Sequence, residues 1–88
     1  MTTAYHDAIR QCAERYQSME FEDDTLRAFI TELRVATLAG VPIPKLCRWL
    51  GYIQGVLIER NITTVEIERD WTRPLFRPLD FPSQGIHE

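Results

Sequence analysis

Apolar residues recur at helical spacing through the first forty positions of the chain. In the first stretch they lie four, three, four and three positions apart, so they share one stripe of a helix: Tyr5, Ile9, Cys12, Tyr16 and Met19. This spacing predicts an amphipathic helix over about 3–18. An acidic run over 20–24 interrupts the pattern, and Asp23 or Asp24 can cap a second helix that ends at Gly40.

The most apolar stretch of the chain follows a stiff turn. Pro42 and Pro44 fix their own φ angles and favour extended residues before them, so 41–44 is predicted to connect two helices. A third helix is predicted over about 44–60. Its apolar arc consists of Leu46, Trp49, Leu50, Ile53, Val56 and Leu57. We expect this helix to be the central one, with Trp49, Leu50 and Ile53 largely buried.

Turn and capping residues divide the last third of the chain. Asn61 can end the third helix, and Thr63 to Glu66 has the Thr-x-x-Glu spacing of a capping box. A short fourth helix over about 64–72 is predicted to follow. The prolines at 74, 78 and 82 predict an extended segment that packs on the helices through Phe76 and Phe81.

The length of 88 residues allows one modest hydrophobic core, and 44% apolar residues with 26% charged residues is typical of a globular protein. The sequence therefore predicts an all-α fold in one domain over residues 1–82. The expected architecture is a small helical bundle of three longer helices and one short helix, with an extended proline-rich C-terminal segment. Residues 83–88 are predicted to be a flexible tail.

The net charge of −3 argues against a protein built to neutralise phosphates. Only residues 41–60 are net positive, with Lys45, Arg48 and Arg60 against Glu59. No apolar run approaches the roughly 20 residues that span a bilayer, and the first residues lack the apolar region of a signal peptide. We expect a cytoplasmic protein without a membrane-spanning segment.

No recognisable constellation for catalysis or metal binding is present in the sequence. Cys12 and Cys47 lie far apart without Cys-x-x-Cys spacing, so both are expected to be buried, reduced thiols. His6 and His87 lie at opposite ends without other ligands nearby in sequence. The chain also lacks a nucleophile with its base and a phosphate-binding glycine loop. We therefore expect neither an enzyme nor a protein with a cofactor or metal.

The second and third helices have some of the spacing of a DNA-binding helix-turn-helix. A small residue, a turn glycine and two core positions stand at the offsets of that motif: Ala36, Gly40, Val41 and Leu46. Lys45 and Arg48 would then face a major groove. However, Pro42 and Pro44 occupy positions where polar groove-facing residues are expected, and the chain is acidic. An ordinary helical hairpin is favoured, and a small DNA-binding regulator is the alternative.

Two further features suggest contact surfaces. Gly51 and Gly55 share one face of the third helix beside Tyr52, and either a partner or the chain's own tail or first helix can occupy that face. The near-repeat over 73–81 places apolar anchors and arginines between prolines, and its candidate contact residues are Arg73, Phe76, Arg77 and Phe81. These anchors either complete the core or are presented to a partner.

Residues 46–58 (LCRWLGYIQGVLI) and 62–74 (ITTVEIERDWTRP) resemble small proteins encoded by tailed phages and prophages. Those proteins carry a similar Arg-Trp-Leu-Gly-Phe-Val-Gln-Gly core, followed by a Thr-x-x-Glu-x-Arg-Asp segment. The resemblance covers about a third of the chain. It implies an accessory protein without an assigned activity, made inside an infected bacterium.

Together these features favour a non-enzymatic accessory protein that binds another protein of the host or phage. A homodimer through Trp49, Tyr52 and the Gly51 and Gly55 face is a further expectation. The surface around Lys45 and Arg48 distinguishes the two functional hypotheses. A contiguous positive patch there favours DNA, whereas a mixed or apolar patch favours a protein partner.

Overall fold

The computed structural model describes residues 2–82, and these contain four α-helices and no strand. The helices are α1 (Ala4–Gln17), α2 (Asp24–Leu38), α3 (Ile43–Glu59) and α4 (Val65–Asp80). The prediction of an all-α fold is confirmed over this part of the chain. The predicted flexible tail over 83–88 lies outside the described residues. No helix within 2–82 is long and apolar enough to cross a membrane.

Polar side chains cap α1 and α2 by accepting hydrogen bonds from backbone amides at the start of each helix. The Thr3 hydroxyl caps α1 and the His6 ring accepts from the Thr3 amide, with Nδ1 3.0 Å from that nitrogen. His6 is buried, and its Nε2 lies 2.8 Å from the Val41 carbonyl oxygen, which joins α1 to the turn before α3. The predicted cap of α2 is confirmed, because the Asp23 carboxylate accepts from the Leu26 amide at 2.9 Å.

The ends of α2 and α3 share one backbone motif. Gly40 has a φ of 75°, and the amides of Gly40 and Val41 donate to carbonyls of the last turn of α2. Asn61 has a φ of 59°, and the amides of Asn61 and Ile62 bond in the same way at the end of α3. This paired bonding around a left-handed residue is a Schellman motif. Both predicted helix ends are therefore confirmed.

The helix at the centre of the fold is α1, and the prediction that α3 is central was wrong. α1 contacts each of the other three helices. It runs antiparallel to α2, as the pairs Gln17 with Thr31 and Glu14 with Arg34 show. It also runs antiparallel to α4. The prediction was based on α3 being the most apolar helix. It failed because the central position of a helix depends on how many other helices it packs against.

The extended C-terminal segment and the short fourth helix were also wrong, because α4 continues to Asp80 and is as long as the other helices. Pro74 and Pro78 lie four apart on one exposed face, where water can reach the carbonyls that lose a helical donor. The opposite face carries partly or fully buried side chains at helical spacing: Glu68, Trp71, Thr72, Leu75, Phe76 and Leu79. Burial of that stripe favours the helix despite the prolines.

The start of α4 differs from the predicted capping box by one residue. Thr64, not Thr63, is the cap, and its hydroxyl accepts from the Ile67 amide at 3.1 Å. The Thr63 hydroxyl instead donates to the Glu68 carboxylate at 2.7 Å. Glu66 is exposed and does not complete a box. Because two threonines are adjacent, the sequence alone does not determine which of them caps α4. In the structure Thr63 is buried and bonded to Glu68, so Thr64 is the cap.

Apart from Ala8, the buried apolar side chains of the first three helices form one cluster: Ile9, Cys12, Ala13, Tyr16, Leu26, Ile30, Leu33, Ala36, Leu46, Leu50, Ile53 and Leu57. The predicted burial of Leu50 and Ile53 is confirmed, while Trp49 is half-buried at the edge of the cluster. Cys12 is buried but Cys47 is exposed, which corrects the expectation for the second thiol. Phe76 packs against the cluster, whereas Phe81 is 53% exposed and does not anchor the segment.

Candidate functional site

A groove between α2 and α3 is one of the concave surfaces of the described residues. It consists of two adjoining cavities of about 480 and 740 Å³ that share Phe29. We call it the α2–α3 groove. Its walls are formed by Asp23, Thr25, Leu26, Phe29, Glu32, Lys45, Arg48, Trp49, Tyr52, Val56 and Arg60.

Three aromatic rings form the middle of the α2–α3 groove. The ring centroids of Phe29 and Trp49 lie 5.0 Å apart, and those of Phe29 and Tyr52 lie 5.5 Å apart with the planes nearly perpendicular. Tyr52 is 61% exposed, so much of its ring faces solvent. Nε1 of Trp49 is buried and has no acceptor among the described residues. The centre of the groove is therefore an aromatic surface with one unsatisfied donor in its wall.

One end of the groove is closed by an ion pair. Arg60 donates to one oxygen of the Asp23 carboxylate, while the other oxygen accepts from the Leu26 amide. The backbone hydrogen bond from Leu26 and then the guanidinium of Arg60 lower the pKa of Asp23. Asp23 therefore stays ionised at neutral pH, and Leu26, Tyr52 and other apolar side chains line the adjoining cavity.

The other end of the groove carries charges of both signs. Lys45 and Arg48 are exposed on α3, and Glu32 is exposed on α2 beside them. The same cavity is lined by Phe29 and Trp49. The patch around the two basic residues is thus mixed and partly aromatic, which is the outcome associated above with a protein partner.

The glycine face of α3 lies open to solvent. A Cβ atom added at Gly51 or Gly55 would meet no atom within 4 Å. Among residues 2–82 neither α1 nor α4 covers this face, so the alternative in which the first helix occupies it was wrong. Gly51 and Gly55 lie around the helix from the groove, next to Arg48 and Tyr52.

The remaining predicted contact residues lie together on α4 and at its C-terminal end, away from the groove. Arg73, Phe76, Arg77 and Phe81 line a shallow cavity of about 290 Å³ with Thr72 and Asp80. Tyr5 of α1 donates to Asp80 at 2.6 Å. The structure thus divides the predicted site residues among three surfaces. Lys45, Arg48 and Tyr52 line the groove, Gly51 and Gly55 form the open face of α3, and the remaining four residues form a patch at the end of α4.

A buried polar cluster attaches α4 to α1. Glu68 is 5% exposed, and its carboxylate accepts from the Arg15 guanidinium at 3.0 and 3.1 Å and from the Tyr16 and Thr63 hydroxyls. Gln54 of α3 donates to the Tyr16 oxygen at 3.0 Å. The Arg15 guanidinium also lies 4.9 Å from the Trp71 ring centroid. We call this group the Glu68 cluster, and it fills the hydrogen-bonding capacity of a buried carboxylate.

Neither the Glu68 cluster nor the α2 wall of the groove was predicted from the sequence. A signal for the first was present, because Glu68 lies in the amphipathic stripe of α4. Phe29 lies in the apolar stripe of α2, as a core residue would, and nothing in the sequence pattern links Glu32 to Lys45 and Arg48. These residues become a site only through the pairing of α2 with α3.

The titratable groups near the core do not favour a nucleophile. Burial is the main cause that raises the pKa of Cys12 to about 12, with the negative charge of Glu68 contributing. Partial burial, and then Asp80, raise the pKa of Cys47. Burial and the hydrogen bond to Glu68 also raise the pKa of Tyr16. Each group is thus held in its neutral form, and the described residues contain no group of three possible metal ligands.

Comparison with known proteins finds no match for this chain among protein-family models, curated proteins or solved structures.

Proposed function

We propose that this chain is a non-enzymatic protein that acts by binding another protein through the α2–α3 groove. The observation that carries the proposal is the combination of exposed aromatic surface and charges of both signs in one concave site. Aromatic side chains and arginine are enriched in protein interfaces because they bury large area and also offer polar contacts. Phe29, Trp49 and Tyr52 supply the aromatic surface, and Arg48 supplies the arginine.

Electrostatics favours a protein partner over DNA at this site. A major-groove reader presents cations to phosphates and bases, and each acidic residue beside them weakens that attraction. Here Glu32 borders the same cavity as Lys45 and Arg48. The α2–α3 pair still presents two cations after a glycine turn, so the DNA-binding regulator is kept as the second candidate.

The resemblance of residues 46–58 and 62–74 to phage and prophage proteins supports a setting for this activity. In that setting the chain is an accessory protein in the cytoplasm of an infected bacterium, and its partner is a host or phage protein. The pKa values of Cys12 and Cys47 lie above their ordinary range, which supports a role without covalent catalysis.

Affinity capture from a bacterial lysate, with identification of bound proteins by mass spectrometry, tests the proposal. The test compares the natural chain with Glu32→Arg, which places a third cation in the groove, and with Leu38→Arg. Both positions are exposed on α2, but only Glu32 lines the groove. We expect one protein to be captured by the natural chain and by Leu38→Arg, and to be lost with Glu32→Arg.

A partner captured equally by all three proteins would contradict binding at the groove. A gel-shift assay with mixed-sequence DNA at two salt concentrations tests the second candidate. Binding of DNA that weakens steeply with salt, and strengthens with Glu32→Arg, would favour the regulator instead.

A further inference from the structure

The face of α3 that points away from the core has the spacing of a coiled-coil seam. Its residues lie four, three and four positions apart, and all are exposed: Arg48, Tyr52, Gly55 and Glu59. The buried residues of α3 lie on the other side of the helix. The described residues leave this seam uncovered, since Tyr52 is 61% exposed and a Cβ at Gly55 would meet nothing within 4 Å.

The seam is complementary to itself when two copies run antiparallel. A two-fold axis between Tyr52 and Gly55 places Arg48 of each copy opposite Glu59 of the other. The same axis places Tyr52 of each copy over Gly55 of the other. The two ends of the seam thus pair opposite charges. Its middle pairs the large side chain of Tyr52 with a glycine that has no side chain. A parallel pairing would instead oppose Arg48 to Arg48 and Glu59 to Glu59, which is repulsive.

From this self-complementarity we infer that the chain forms a two-fold symmetric homodimer through antiparallel α3 helices. A second copy is the occupant because charge and volume both match across the axis, with no residue needed from another protein. Gly55 supports this, since a glycine inside a helix costs about 1 kcal/mol relative to alanine and here leaves a hole for Tyr52. Because the matching residues are isologous, the contact closes and adds no further copies.

The size of the seam predicts a weak dimer. Residues 48–59 span roughly 16 Å of helix, so the buried area falls below the roughly 1,200 Å² of a standard stable interface. We therefore expect association that depends on concentration. The seam shares Arg48 and Tyr52 with the rim of the α2–α3 groove, but the homodimer does not rest on the proposed function of the groove.

Sedimentation equilibrium from about 10 μM to about 1 mM tests the homodimer. The average mass should rise from 10.3 kDa towards twice that value. Arg48→Glu and Glu59→Arg should each weaken association by tenfold or more, because each opposes like charges at both ends of the seam. The double variant Arg48→Glu with Glu59→Arg should restore it. Arg69→Glu and Glu66→Arg, at exposed positions of α4, are the matched controls and should leave association unchanged.

Two outcomes would overturn the homodimer. One is a mass that stays at 10.3 kDa at every concentration, and the other is a double variant that associates no better than the single variants. Gly55→Leu provides an independent check, because it fills the hole for Tyr52 while improving helix propensity. It should abolish association without lowering the melting temperature. Glu32→Arg should leave the dimer intact, so that loss of groove binding and loss of the dimer are separate results.

Discussion

α3 and α4 are both amphipathic, yet they attach to the protein in different ways. α3 buries Leu46, Leu50, Ile53 and Leu57. α4 fully buries one side chain, the carboxylate of Glu68, and its large apolar residues stay half-exposed. The first attachment depends on area removed from water, which is non-directional, and the second depends on hydrogen bonds of defined geometry. A helix of similar length can therefore be held by many weak contacts or by one polar cluster.

The difference sets how each helix responds to a single substitution. Loss of methyl groups from α3 removes part of its stabilisation and leaves the rest in place. Loss of one member of the Glu68 cluster leaves the others buried without partners, and such groups cost more than the interaction itself contributed. A single substitution at Glu68 should thus destabilise the protein strongly, whereas substitutions elsewhere in α4 should destabilise it less than substitutions in the buried face of α3.

The largest effect should come from Glu68→Ala. Arg15 would then lie at the α1–α4 contact without its carboxylate, and removing one partner of a buried pair costs about 3–5 kcal/mol. Urea denaturation measures this loss of unfolding free energy. Glu66→Ala on the exposed face of α4 is the control and should change stability by less than about 0.5 kcal/mol. Equal effects of the two substitutions would show that α4 is held by its apolar stripe instead.

Truncation of an apolar side chain should destabilise the protein more in α3 than in α4. Ile53→Ala removes a fully buried side chain and should destabilise the fold by about 2–5 kcal/mol. Leu75→Ala, on α4, removes a half-buried one and should cost roughly half as much, since less area returns to water. The same denaturation experiment measures both. A larger loss for Leu75→Ala would contradict the view that α4 adds little to the core.

Pro78→Ala should stabilise α4. Alanine restores the amide that can donate to the carbonyl four residues earlier and removes the steric conflict of the ring, a gain on the order of 1–3 kcal/mol. Pro78 is exposed, so no packing is lost. A rise in melting temperature, with added helical circular dichroism, is the expected result. A fall in melting temperature would mean that α4 is not helical beyond Arg77 in solution.

The smallest effect concerns alkaline pH and the core beneath α4. The pKa of Cys12 is raised from 9.0 to about 12, so the folded state holds this proton more tightly than the unfolded chain. Its contribution to stability is complete below pH 9 and is lost as pH rises towards 12. Between about pH 8 and 10 the natural chain should therefore lose up to about 1.4 kcal/mol more than Cys12→Ala. The pKa of Cys47 is also raised, but by a smaller shift, so Cys47→Ala should change the pH dependence in the same direction and by less than Cys12→Ala does.

The helix boundaries that local chemistry determines were predictable from the sequence. Asp23, Gly40 and Asn61 act within one turn of the chain, so their capping roles could be read directly. The second half of α4 was not predictable in this way. Pro74 and Pro78 argue against a helix locally, and the burial that outweighs them comes from α1, which is distant in sequence.

The candidate site was also only partly predictable from the sequence. Lys45, Arg48 and Tyr52 were identified because exposed polar and aromatic residues on α3 follow from its own periodicity. Phe29 and Glu32 complete the groove, but they belong to it only because α2 packs beside α3. The glycine face of α3 had two interpretations in the sequence, and within residues 2–82 neither α1 nor α4 covers it.

The long sequence separation within the Glu68 cluster orders events during synthesis. Arg15 and Glu68 are 53 positions apart, and Tyr5 and Asp80 are 75 apart. α1, α2 and α3 leave the ribosome before Glu68 does, so a nascent chain can close its aliphatic core while Arg15 is still hydrated. We therefore expect docking of α4 to come last and to be the step that most readily reverses. Amide protons of α4 should accordingly exchange through partial opening, well before those of α1.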